Sequence, residues 1–166
     1  MNIRKANKND LENIMNMYSS CISGMIEQGI SQWDNSYPNM QIIKLDIEAE
    51  TYYIAEINGK VVGGINIDSN QDKQYEIIHW TCSSNSFYVV HRLGVKKELW
   101  KKKIGKKLMI FSEKLAKENL IDSIRLDTYS ENKQAINFYK NLGYKQLGTI
   151  KLKPNKKNYY CFEKIL

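Results

Sequence analysis

The sequence predicts an α+β fold, a mixed sheet of about seven strands with helices on both faces. Three observations predict it. Apolar residues recur at helical spacing over 11–26 and again over 104–119. Asn58-Gly59 joins two β-rich runs, the strongest short-range hairpin signal. Strand and helix patterns then alternate to the end of the chain, where two strands close it.

Residues 2–5 read as the first strand. Asn7, with Asp10 three positions later, reads as a helix N-cap followed by an acidic first turn. Leu11, Ile14, Met15, Tyr18, Ile22, Met25 and Ile26 share one helical face, and Gly29 supplies the left-handed cap. An aromatic loop over 30–39 carries Trp33 and Tyr37-Pro38. A short helix follows, with Met40, Ile43 and Ile47 inward. Tyr52–Ile57 and Lys60–Ile67 form the hairpin. Residues 68–75 are a polar loop, and 76–81 fit no single pattern. Phe87–Val95 is a strand. The helix from Ile104 buries Ile104, Leu108, Phe111 and Leu115. A strand over 123–128, a helix over 132–141, and strands over 147–153 and 158–165 complete the order.

With 166 residues, 42% hydrophobic and 26% charged, the chain is expected to form a single soluble domain, 1–166. It has no stretch of ~18 apolar residues to span a membrane, and Met1–Lys5 lacks the apolar core of a signal peptide. Cys21, Cys82 and Cys161 have no metal-ligand spacing and only two histidines accompany them, so no metal site is expected. Reduced buried thiols in a cytoplasmic protein are the expectation. The net charge of +7 is concentrated in seven lysines between 96 and 107, a run that attracts polyanions. The same run also fits a solvated helix face.

Residues 132–144 read Asn-Lys-Gln-Ala-Ile-Asn-Phe-Tyr-Lys-Asn-Leu-Gly-Tyr. Upstream, Leu93-Gly94-Val95 leads into Trp100-Lys101-Lys102-Lys103-Ile104-Gly105 and on to Lys106-Lys107-Leu108-Met109. Together these segments resemble the two halves of the acyl-CoA site in the GNAT N-acetyltransferase superfamily, in a bacterial subgroup of unassigned substrate. Gly29–Trp33 and Tyr37-Pro38 extend the resemblance over nearly the whole chain. It implies a GNAT-like sheet whose central strand pair is splayed, and acetyl-CoA as cofactor.

By that resemblance the main chain of Leu93 and Val95 pairs with pantetheine beside Gly94. The loop Trp100 to Gly105, with Lys106, wraps the pyrophosphate. The family's motif there is Gln/Arg-x-x-Gly-x-Gly/Ala. Its last glycine is Gly105, but Lys103 replaces the first glycine and Trp100 the Gln/Arg, which puts the strength of cofactor binding in doubt. The resemblance also implies that Asn132 hydrogen-bonds the cofactor, that Ala135 leaves it room, and that Tyr139 points at its sulfur. Asn132 and Tyr139 are about two helical turns apart and share a face.

A phenol of pKa near 10 can protonate a departing thiolate. His91 leads as general base because an imidazole titrates near neutrality, and period-two alternation places it on the face of Leu93 and Val95. If that face is core, His91 is instead a buried, satisfied imidazole. Glu76, His79 and Asp127 are weaker candidates. Trp33 and Tyr37 either line the pocket of the amine acceptor or plug the core. The implied reaction is acetyl transfer to a primary amine by direct attack in a ternary complex. A catalytically drifted CoA-binding protein is the alternative. Nucleic-acid binding fits less well, since the lysine run has only Trp100 to stack on bases. Homodimers are common in the family.

Overall fold

A computed structural model describes residues 1–166. The elements are β1 (Asn2–Lys5), α1 (Leu11–Glu27), α2 (Met40–Glu48), β2 (Tyr52–Ile57), β3 (Lys60–Asp68), β4 (Phe87–Val95), α3 (Ile104–Glu118), β5 (Ser123–Tyr129), α4 (Lys133–Asn141), β6 (Lys145–Ile150) and β7 (Tyr159–Ile165). The seven strands run in the order β1-β2-β3-β4-β5-β7-β6, with β4 and β5 parallel. The predicted α+β class with about seven strands is the observed one.

The chain forms two compact units. The first comprises Met1–Ile67 and His91–Ser112, the second Asp68–Val90 and Glu113–Leu166. In the first, Asn58 (φ 50°) and Gly59 (φ 71°) both take positive φ, as a type I′ hairpin turn requires between β2 and β3. Successive residues of β2 face opposite sides: Tyr52 meets Tyr18 of α1, and Tyr53 stacks on Phe111 of α3. Helices therefore cover both faces of the sheet in this unit. The glycines between them permit close approach. A Cβ on Gly63 would lie 3.1 Å from the Gly94 carbonyl, and one on Gly94 would lie 2.8 Å from the Tyr18 ring.

Two apolar residues assigned to the core are exposed. Ile26 is 61% exposed and Met40 55% exposed. Ile26 lies about 120° around the helix from Ile14, off the stripe of Ile14, Met17, Tyr18, Cys21 and Met25. Met40 is the first residue of α2 and projects past the end of the packed face. On α3, Met109, Ser112 and Ala116 are more deeply buried than Phe111 and Leu115, so the packed face is rotated from the one expected. The unpatterned stretch begins with a 3-10 turn, Lys73–Ile77. β6 begins at Lys145, directly after the left-handed cap at Gly143 (φ 86°), and ends at Ile150 rather than at 153.

The predicted cap at Asn7 is a complete capping box with Asp10. Both Asp10 oxygens also accept from Arg4 at 2.8 Å, while Arg4 donates to Glu56 at 2.7 and 2.9 Å. The Arg4 hydrogen bonds hold the Asp10 carboxyl below its ordinary range; burial opposes this, and the Asn7 amide reinforces it. A carboxylate with a depressed folded pKa stabilises the fold above its unfolded pKa and loses that contribution as pH falls through the folded value. Asp10→Asn is therefore expected to cost about 1.5–3 kcal/mol at pH 7. The difference from wild type should shrink towards zero below about pH 3 in urea titrations across pH. A gap that does not change with pH would contradict the assignment.

Candidate active site

In the second unit, β4 pairs with β5 from Phe87↔Ser123 to Val90↔Leu126. The ladder stops there, although β4 runs on to Val95 and β5 to Tyr129. Two residues past its end, Arg92 sits at φ 54°, a left-handed conformation inside a strand. That conformation costs a non-glycine residue about 1–2 kcal/mol, so something must hold it. The Tyr18 hydroxyl donates to the Arg92 carbonyl at 2.5 Å, and Tyr52 donates to Tyr18 at 2.7 Å. The Arg92 guanidinium donates to both oxygens of Asp46 on α2 at 2.7–3.0 Å, and Nη1 reaches the Tyr37 hydroxyl at 3.4 Å. The kink in β4 is thus tied to α1, α2 and the loop between them.

This kink changes the reading of His91. Simple alternation places His91 on the face of Leu93, but a positive φ between them interrupts that alternation. His91 itself is half-buried. Trp33 is buried edge-on against Tyr18, with ring centroids 5.5 Å apart, and Tyr37 touches Arg92. Both aromatics therefore brace the kinked strand.

The loop between β4 and α3 turns through Lys97–Leu99 and then places Lys101 and Lys103 at φ 63° each. Lys103 thus adopts the conformation for which glycine is the easy choice. Lys101, Lys102, Lys103 and Lys106 are exposed. α3 is 15 residues long, and the amides of its first turn have no intrahelical partner. Left-handed turns beside such amides form anion-binding concavities. These residues fit the polyphosphate tail of a nucleotide, with four ammonium groups beside a positively polarised helix end.

Trp100 does not point into this loop as a free side chain. Its Nε1 donates to the Val95 carbonyl at 2.9 Å, and its ring lies so close to α1 that a Cβ on Gly24 would be 2.6 Å from Cη2. The Val95 amide is engaged by the Cys21 sulfur, whose thiol burial pushes up to about 11. A carbonyl oxygen has two lone pairs, so Val95 keeps one for another donor. Lys103→Gly is expected to leave stability unchanged or raise it by up to about 1 kcal/mol, whereas Lys103→Val should lower it by about 1 kcal/mol or more. Urea unfolding of both variants checks this; equal losses would contradict the left-handed assignment.

In the second unit, Asn132 is the N-cap of α4, and its Oδ1 accepts from the Ala135 amide at 3.0 Å. Tyr139 is buried among Phe138, Tyr144 and Phe162, at ring separations of 5.2–6.1 Å. No protein group hydrogen-bonds its hydroxyl. Burial pushes this phenol above its ordinary pKa, and the nearby Asp127 carboxylate adds to the rise. Asp127 accepts from the Tyr75 hydroxyl at 2.7 Å.

The residues expected to bind cofactor therefore fall in two groups. Leu93–Val95 and Trp100–Lys106 belong to the first unit, together with His91, Trp33 and Tyr37; Asn132, Ala135 and Tyr139 belong to the second. The Arg92–Asp46 lock was not found from the sequence. Its one signal is a charged residue inside an otherwise apolar strand, which demands a buried partner.

The model of the Acetyltransferase (GNAT) family matches residues 11–144, and the chain belongs to this family. An "Uncharacterized N-acetyltransferase" of Methanocaldococcus jannaschii is 26% identical over 151 residues; the match covers 90% of this chain and 62% of that protein's length. The crystal structure of a GNAT family acetyltransferase from Streptococcus agalactiae superposes with a TM-score of 0.84 at 20% identity, covering 99% of this chain and 95% of that one. A PaiA N-acetyltransferase from Thermoplasma acidophilum, solved in complex with coenzyme A, gives 0.75 at 20% identity, covering 99% and 98%. At these identities the two structures speak for the fold. No helix is long and apolar enough to cross a membrane.

Proposed function

We propose that this chain transfers an acetyl group from acetyl-CoA to a primary amine by direct attack in a ternary complex. The observation that carries the reading is the kink at Arg92, just past the end of the β4–β5 ladder, with main-chain groups of β4 continuing beyond it. When bound, acetyl-CoA supplies an activated thioester. In this reading Leu93 and Val95 orient the pantetheine arm through main-chain groups beside Gly94. The amides of Ile104, Gly105 and Lys106, with the ammonium groups of Lys101, Lys102 and Lys103, hold the phosphates. Asn132 and Ala135 flank the arm.

An alkylammonium of pKa near 10.4 is neutral in about one molecule in two thousand at pH 7, a cost of roughly 4–5 kcal/mol. His91 is the proposed acceptor of its proton. Tyr139 Oη holds a proton throughout the neutral range, because burial raises its pKa, and gives it to the leaving sulfur. Trp33 and Tyr37 border the acceptor side. The three free cysteines accord with a reducing, cytoplasmic setting.

One observation favours a second reading, a CoA-binding protein that no longer turns over. Trp100 already occupies one lone pair of the Val95 carbonyl, and Lys103 stands where the family has glycine. Release of free thiol from acetyl-CoA, measured over a panel of polyamines, amino sugars and peptides, separates the two. Amine-dependent thiol release is the expected result. Saturable cofactor binding without transfer to any amine would select the second reading.

A further inference from the structure

We propose that a groove in the second unit, with Arg125 at its floor, is a binding site for a small carboxylate. The groove has a volume of about 440 Å³, within the range of small-molecule sites. Gln71, Tyr75, His79, Trp80, Phe87 and Arg125 line it. Arg125, on β5, is only 4% exposed. Its guanidinium carbon lies over two rings, 4.5 Å from the Trp80 centroid and 3.9 Å from that of Phe87, so aromatic contacts hold the group in place.

The edge of the guanidinium is what remains. Nε donates to Glu163 Oε1 at 3.2 Å and Nη1 donates to Gln71 Oε1 at 3.0 Å. Nη2 donates to no protein group. A guanidinium carries five N–H donors, and since no buried side-chain nitrogen or oxygen lacks a partner, the unpartnered Nη2 is open to the groove. The contrast with Arg92 is instructive. That arginine grips Asp46 through a bidentate fork. The partner of Arg125 is instead occupied elsewhere: Glu163 accepts the Thr81 and Cys82 amides at 2.7 and 3.1 Å and the Ser123 hydroxyl at 3.3 Å. Glu163 therefore meets Arg125 at one long contact and leaves its fork edge to the groove.

A planar carboxylate matches that edge. Exposed Ser83 and Asn85 also line the groove and offer further neutral donors. The buried Glu163 and the exposed Glu76 limit how much negative charge the site accepts, which favours a monoanion over a phosphate dianion. Glu76 and His79 are weaker candidates for the general base, but neither they nor the other lining residues carry a role in the proposed transfer, so the proposal does not depend on that reading.

The chain has three arginines, Arg4, Arg92 and Arg125, so three side-chain Nε–H resonances report on them. The probe is N-acetylglycine, a carboxylate without an amine to acetylate, added to the full chain at constant ionic strength. The controls are N-acetylglycinamide and inorganic phosphate. Up to about 20 mM probe, the Arg125 resonance should move saturably with N-acetylglycine, not with the amide, and less with phosphate. Gln71→Glu keeps the Nη1 hydrogen bond but places a negative charge beside it. This variant should remain folded, as judged by a dispersed amide spectrum, and weaken the probe by about 10-fold or more. No saturable shift, an equal shift with the amide, tighter binding of phosphate, or unaltered binding in folded Gln71→Glu would each overturn the proposal.

Discussion

Replacing Asp46 with alanine is expected to lower the unfolding free energy by about 3–5 kcal/mol. The reason is the charge it leaves behind. The Arg92 and Asp46 side chains are 9% and 11% exposed, and three N–H···O contacts of 2.7–3.0 Å join them. A guanidinium cannot escape burial by losing its proton, so removing Asp46 strands it with only the long contact to Tyr37. For a chain of this length the loss corresponds to a fall in melting temperature of roughly 6–20 °C. Lys5→Ala offers the comparison: its partner Glu50 is exposed and the pair should matter little. A loss below about 1 kcal/mol for Asp46→Ala would show that water reaches Arg92, and the lock on the β4 kink would then have to lie in Tyr18 alone.

Tyr139→Phe is expected to reduce turnover by about 10- to 10⁴-fold while leaving acetyl-CoA affinity nearly unchanged. The substitution removes one oxygen and keeps the ring. The ring is packed among Phe138, Tyr144 and Phe162, so the helix should stay in place. The hydroxyl has no protein partner, so its loss leaves no buried group unsatisfied. Separate measurements of kcat and of the dissociation constant for acetyl-CoA decide the matter. Unchanged turnover would remove Tyr139 as the acid. A loss confined to affinity would make it a binding residue.

The local features of this fold were legible because they follow from short-range chemistry. A two-residue hairpin turn needs two positive φ values, and Asn58-Gly59 is the pair that adopts them at least cost. Asn7 with Asp10, and Asn132 before Lys133, are caps whose side chains reach amides two or three residues away. The long-range features were not legible. Nothing in the sequence couples residue 92 to residue 46, or residue 125 to residue 163; both links arise only once the topology brings distant strands and helices together. The same limit explains His91. Alternation is a property of a regular strand, and Arg92, an ordinary residue by composition, breaks it through a conformation imposed by Tyr18 and Asp46. Lys103 is the converse case. Its departure from glycine was visible at once, and the backbone takes the glycine-like conformation regardless.

The account as a whole turns on whether acetyl-CoA engages the kinked strand and the start of α3. Titrating acetyl-CoA into the labelled protein and following each backbone amide tests this most directly. Saturable shifts should concentrate at Leu93–Val95 and at Lys103–Lys106, with the affinity weakening as salt rises because the lysines screen readily. Millimolar acetyl-CoA that leaves those amides unmoved, or moves only distant surface positions, would contradict it.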